Sequence, residues 1–167
     1  MLGQTLIVRA ALLVALAALL EAALSPLLTF GWVGPRFLVL GVVVAAAGLR
    51  ALQALLLGFF GGVLADALSG GLFGVGALSG IFAAAVSTRA GIARRKGEAR
   101  PFLAQAVAVA TVVYDLLSLF ALTLAGHDGP PVVGYLVGGV VPDVLLNAFL
   151  AYLVGGRLLE LITTEEE

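Results

Sequence analysis

The stretch FLVLGVVVAAAGLRALQALLLGFFGGVLADAL, residues 37–68, decides how this chain folds, because it is apolar throughout except at Arg50, Gln53 and Asp66. Hydrocarbon offers the backbone no hydrogen-bond partners, so a run of this kind has to be helical, and a crossing takes about 20 residues at roughly 1.5 Å each. Read as one long helix, the stretch would hold Arg50 in mid-membrane at a cost of about 2.5–3.5 kcal/mol on insertion scales. Read as two spans, 37–49 and 51–68, it puts Arg50 in a turn at the membrane surface. The second reading is the expectation, although 37–49 is short for a crossing.

The rest of the chain is of the same kind. Of 167 residues, 62% are hydrophobic and 11% charged, against roughly 45–50% apolar and about 25% charged in a soluble domain. A soluble fold of this size cannot hide so much apolar side chain, so the surface has to face lipid. The length allows one transmembrane domain, 1–167, and no second, soluble one. A formal net charge of −1 gives no reason to expect a nucleic-acid partner. The chain has no cysteine, which excludes disulfides, thiolate nucleophiles and zinc–thiolate sites together. Arg9 ahead of the apolar run 10–24 has the outline of a signal peptide. Glu21 interrupts that run, Pro26 follows the expected cut, and further apolar segments come after, so a retained first span is expected.

Six spans are expected in all, about 6–24, 37–49, 51–68, 72–87, 102–125 and 132–154, packed as an all-α bundle. Between the first two, residues 25–36 carry Pro26, Gly31, Gly34 and Pro35, which cannot continue a helix. Phe30 and Trp32 suit the water–lipid boundary, so this segment reads as a re-entrant or interfacial loop. Short cytoplasmic loops keep Lys and Arg. With six spans and both termini cytoplasmic, Arg9, Arg50, Arg89, Arg94, Arg95, Lys96, Arg100 and Arg157 fall inside, and only Arg36 of the 9 basic residues falls outside.

The densest pattern is GFFGGVLADALSGGLFGVG, residues 58–76. Gly58 with Gly62, and Gly76 with Gly80, are small-xxx-small pairs that let helix backbones approach closely in lipid. Gly70 and Gly71 permit a tight turn between the third and fourth spans. The arrangement predicts a tightly packed helical hairpin, either closed within the protein or offering a glycine-lined surface to a partner's transmembrane helix.

Gly58-Phe59-Phe60, Gly62, Asp66 and Ser69-Gly70, running on to Leu72, Gly74 and Ala77, resemble the signature hairpin of the rod shape-determining protein MreD family. Pro35, opening a short apolar span, is similar to that family's proline after its first span. The family often carries Asp or Asn after this proline, where this chain has Arg36. The resemblance implies a structural, non-enzymatic subunit of the bacterial cell-wall elongation machinery in the inner (cytoplasmic) membrane. It further implies MreC as a partner, with MreB and the peptidoglycan synthases reached indirectly, and Gly58, Gly62, Asp66, Gly70, Gly74, Gly76 and Gly80 as partner-interface or helix-packing residues.

Polar residues inside spans are costly and are candidate sites by default. Asp115 lies deep in the fifth span, and Asp143 in the sixth with Asn147 at i+4 on the same face. If the two faces meet, Asp115, Asp143 and Asn147 form a polar core near Tyr114, either a hydrogen-bonded bundle centre or a site for a solute, ion or partner helix. Arg36 is expected to pair with Glu21 or Asp66, which lie near the outer ends of their spans. The basic loop Arg89, Arg94, Arg95, Lys96 and Arg100 would face anionic lipid and cytoplasmic partners, and the tail Glu165 to Glu167 reads as solvated.

His127, in the turn 126–131, is the only histidine and lacks the donors for a metal site. No cofactor is expected, and with no cysteine and one loop histidine only the intramembrane Asp115 and Asp143 remain for hydrolase chemistry of the aspartyl-protease kind, neither of them in a recognisable catalytic motif, so no enzyme is expected. The alternative reading is transport. Six spans, a broken region near the second, and the alanine pairs Ala11/Ala15 and Ala18/Ala22 resemble the substrate-binding component of energy-coupling-factor vitamin transporters.

Overall fold

The computed structural model describes residues 2–70, 73–90, 98–126 and 131–163. Gly71, Leu72, Arg94, Arg95, Lys96, the residues 127–130 that include His127, and the tail Glu165 to Glu167 lie outside the described residues. Among those described, the regular elements are helices: α1 Leu2–Ala23, α2 Ser25–Leu28, α3 Phe37–Ala47, α4 Ala51–Ser69, α5 Val75–Ala90 and α6 Ala99–Leu124. A last helical path, Val132–Thr163, contains α7 Val132–Tyr135, α8 Val141–Leu150 and α9 Gly156–Thr163, joined by two wide π-helical turns, Leu136–Val140 and Ala151–Gly155.

Four of these stretches, Gln4–Ala23, Ala51–Ser69, Ala99–Leu124 and Val132–Thr163, are long and apolar enough to cross a membrane; α3 and α5 are apolar but shorter. Four of the six expected spans thus correspond to helices of full length, and the second and fourth correspond to the shorter helices α3 and α5. At 1.5 Å per residue α3 rises only about 16 Å, roughly half the hydrocarbon thickness. The helix expected from position 72 begins at Val75, and the last extends past 154 to Thr163.

Why α3 can be short follows from its sequence. FLVLGVVVAAA has no polar side, and a helix apolar all round belongs in a protein interior. It packs against α1, α4, α5 and α6, and Val42, Val43, Val44, Ala45 and Ala46 have no exposed surface. Close approach to α1 depends on Gly41, where a Cβ would run into Ala17. The helix stops at Gly48, and Arg50 stands exposed, its backbone N–H donating to Gln53 Oε1 at 3.3 Å. The break in 37–68 therefore falls where the cost of burying Arg50 placed it.

The last path bends for an equally local reason. Pro142 sits in the first turn of α8 and has no N–H to give the preceding turn. The wide turn before it closes instead through the Val141 N–H donating to the Leu136 carbonyl. Asp143 and Asn147 follow directly, both buried.

Candidate functional site

The hairpin comes first, since it carries most of the sequence signal. On α4, Gly58 and Gly62 lie against Gly80 and Gly76 of α5: a Cβ on Gly58 would meet the Gly80 carbonyl, and one on Gly62 the Gly76 carbonyl. Backbone touches backbone, so the four glycines are occupied with each other and offer no glycine-lined surface to a partner's helix. Of the two alternatives the sequence left open for these glycines, packing within the hairpin is the one this geometry displays. Gly61, which the pair pattern does not single out, faces α1, where a Cβ would strike Val14.

The hairpin turn is held by Asp66. Its Oδ2 accepts from the Gly74 N–H at 2.8 Å and the Ala77 N–H at 3.2 Å, and its Oδ1 from the Gly76 N–H at 2.8 Å. A helix leaves its first N–H groups without intrahelical partners and carries partial positive charge at that end. Asp66 thus caps α5 from the neighbouring helix. Gly70 ends α4 with φ +64° and Gly74 has φ +105°, backbone conformations that favour glycine. Asp66 is fully committed to these amides, so it is not the partner of Arg36.

The expected pairing of Arg36 with Glu21 or Asp66 is overturned. Its Nε donates to Asp143 Oδ2 at 3.0 Å and its Nη2 to Asp115 Oδ1 at 3.3 Å, with the guanidinium 4.6 Å from the centre of the Tyr114 ring. The backbone around Arg36 is fastened by the same residues. Gly34 N–H donates to Asp143 Oδ1 at 2.7 Å, Arg36 N–H to Asn147 Oδ1 at 2.6 Å, and Asn147 Nδ2 to the Gly34 carbonyl at 3.1 Å. Segment 34–36 therefore dips into the bundle and is clamped from α6 and α8. Asp115, Asp143 and Asn147 are 1%, 0% and 2% exposed, so the polar core anticipated from their spacing is built, with the loop's backbone as its third component.

Other groups extend the clamp. Glu21 Oε2 accepts from the Leu38 N–H at 3.1 Å, capping α3 as Asp66 caps α5. Ser25 Oγ donates to the Pro35 carbonyl at 2.9 Å. Trp32 packs edge-on against Tyr135 with ring centres 5.7 Å apart. Two buried atoms, Thr111 Oγ1 and Asp115 Oδ2, have no hydrogen-bond partner among the described residues. Sequence reading missed Gly34, Ser25 and the capping role of Glu21; the turn-forming run around Gly34 and Pro35 was the available signal.

Of the basic loop, Arg89 lies in the last turn of α5 and Arg100 in the first turn of α6. Among the described residues there is no cluster of three metal-ligating side chains. The arrangement is a set of helix caps and one clamp in which a single guanidinium meets two carboxylates, and such an arrangement can fix geometry.

No match was found among curated proteins or among solved structures. The chain matches the family described as rod shape-determining protein MreD over residues 2–155, which includes the clamp, the hairpin and all but the end of the last helical path. This chain belongs to the rod shape-determining protein MreD family, and with it to the membrane proteins that determine rod shape.

Proposed function

We propose that the protein is a structural, non-catalytic subunit of the bacterial cell-wall elongation machinery. It sits in the cytoplasmic membrane as a single transmembrane domain, binds MreC, and through it supports the link between MreB and the peptidoglycan synthases. The single observation that carries this reading is the family match over residues 2–155. The site agrees with it in kind: Asp66, Asp143 and Asn147 spend their hydrogen-bonding capacity on backbone amides and on Arg36, as positioning groups do.

Within the same proposal the chain crosses the membrane six times with both ends inside, α3 and α5 being the two short crossings, sheltered by their neighbours. Gly58, Gly62, Gly76 and Gly80 serve packing of the hairpin, and the exposed apolar sides of the longer helices are left for lipid and for MreC. Arg89, Arg94, Arg95, Lys96 and Arg100 serve topology at the cytoplasmic surface.

Co-purification tests the proposal. Tagged full-length protein, extracted in mild detergent from its native bacterium, is expected to bring down a single-span protein with a periplasmic coiled coil. Recovery of paired cytoplasmic ATPases in place of that protein would instead support the transporter reading.

A further inference from the structure

A cavity of about 530 Å³ opens at the end of the bundle where α1 stops and α4 turns into α5, and Glu21, Arg36, Tyr114, Thr29 and Ser69 are among the side chains that line it. One cation, Arg36, and two carboxylates, Glu21 and Asp66, face this space, and none is spent on another: Arg36 is ion-paired with Asp115 and Asp143, Asp66 accepts from three amides of the hairpin turn, and Glu21 accepts from the Leu38 amide through one oxygen. A guanidinium has five N–H donors in a fixed fork. The ion pairs to Asp115 and Asp143 engage Nε and Nη2, which leaves donors over for an anion. A hydroxyl-bearing ring, Tyr114, lies beneath the guanidinium.

The surroundings of the mouth differ from its floor. Pro26, Thr29 and Gly31 line the cavity, and the residues interleaved with them, Leu27 and Phe30, are 76% and 82% exposed. Across the hairpin turn Phe73 is 72% exposed. Exposed apolar groups near a polar floor that carries both signs of charge match an amphiphile: chains along the rim, a charged head inside.

We propose that this cavity is the head-group site of a zwitterionic phospholipid whose head carries a phosphate and a primary ammonium, that is, a phosphatidylethanolamine. The phosphate lies at Arg36, and the ammonium, with its three donors, at Glu21. A quaternary ammonium has no donor for Glu21, and a head group without a cation leaves Glu21 unanswered. The site requires only the membrane setting, so it is independent of which protein partner the chain binds.

The test is native mass spectrometry of the full-length protein in detergent with an equimolar mixture of phosphatidylethanolamine, phosphatidylcholine and phosphatidylglycerol of identical acyl chains. One phosphatidylethanolamine is expected to be retained over the other two by roughly tenfold, the equivalent of one charge-assisted hydrogen bond. Glu21→Gln keeps an acceptor for the Leu38 amide and so preserves the fold, and it is expected to abolish the preference. Ala65→Leu, which fills the cavity from its α4 wall without removing a charged group, is expected to lower retention of all three. Equal retention of the three lipids, or an unchanged preference in Glu21→Gln, would overturn the proposal. So would free phosphoethanolamine holding as firmly as the lipid, since the rim would then contribute nothing.

Discussion

Arg36 and Asp143, separated by 107 positions in the chain, meet through a 3.0 Å hydrogen bond from Nε to Oδ2, while the other oxygen of Asp143 holds the Gly34 amide at 2.7 Å. One carboxylate therefore fixes both the charge and the path of the segment that enters α3. Removing one member of a buried ion pair strands the other and typically costs about 3–5 kcal/mol. Asp143→Ala is expected to destabilise the protein on that scale in denaturant unfolding followed in detergent. Asp143→Asn, which retains an acceptor for Gly34, should cost less; equal losses for the two would show that the amide bond contributes nothing.

Gly62 is the second point of sensitivity. Its replacement by Leu or even Ala pushes a side chain into the Gly76 carbonyl, and a backbone cannot rotate away as a side chain can. Overpacking commonly costs about 1–3 kcal/mol, and Gly62→Leu is expected at or above the top of that range. A melting temperature equal to that of the native chain would contradict the close hairpin.

Asp66→Ala removes the acceptor for three amides at the start of α5. Leaving buried donors unsatisfied costs about 1–3 kcal/mol each, so the α4–α5 turn is expected to loosen before the rest. Hydrogen exchange would show it as faster exchange at Gly74, Gly76 and Ala77, with the amides of α1 unchanged.

Thr111 offers the opposite case. Its buried hydroxyl has no partner among the described residues, so Thr111→Val keeps the shape and deletes a group that gains nothing from burial. Stability is expected to stay level or rise by about 1 kcal/mol. A clear loss would mean that the hydroxyl is engaged.

The absence of cysteine makes single-cysteine labelling a direct topology test. With six crossings, Ser69→Cys and Ala125→Cys should react with an impermeant maleimide on intact cells, and Ala51→Cys and Glu98→Cys only after permeabilisation. Labelling of Ala51→Cys from outside would return the chain to fewer crossings.

How much of this was legible in the sequence depends on how far apart the partners lie. Arg50 marked the helix break from its charge alone, and the glycines at 58, 62, 76 and 80 marked a hairpin because they recur at helical spacing within one short stretch. Asp143 and Asn147 could be placed on one face because i and i+4 share a face. The partners of Arg36 could not be read this way. Glu21 and Asp66 were the acids near the same end of their helices, but the true partners come from α6 and α8, and only the packed bundle brings those helices to the loop. Gly61 and Gly34 escaped for a related reason: Val14, against which Gly61 packs, and the Asp143 carboxylate, to which the Gly34 amide donates, both lie on other helices.

The most direct measurement of the central claim, that this membrane protein determines rod shape, is the aspect ratio of the native bacterium's cells as the chain is depleted. Cells are expected to widen and become round over a few divisions and to recover their cylinders when the native chain is restored. Cells that keep an unchanged rod form through complete depletion would contradict the account.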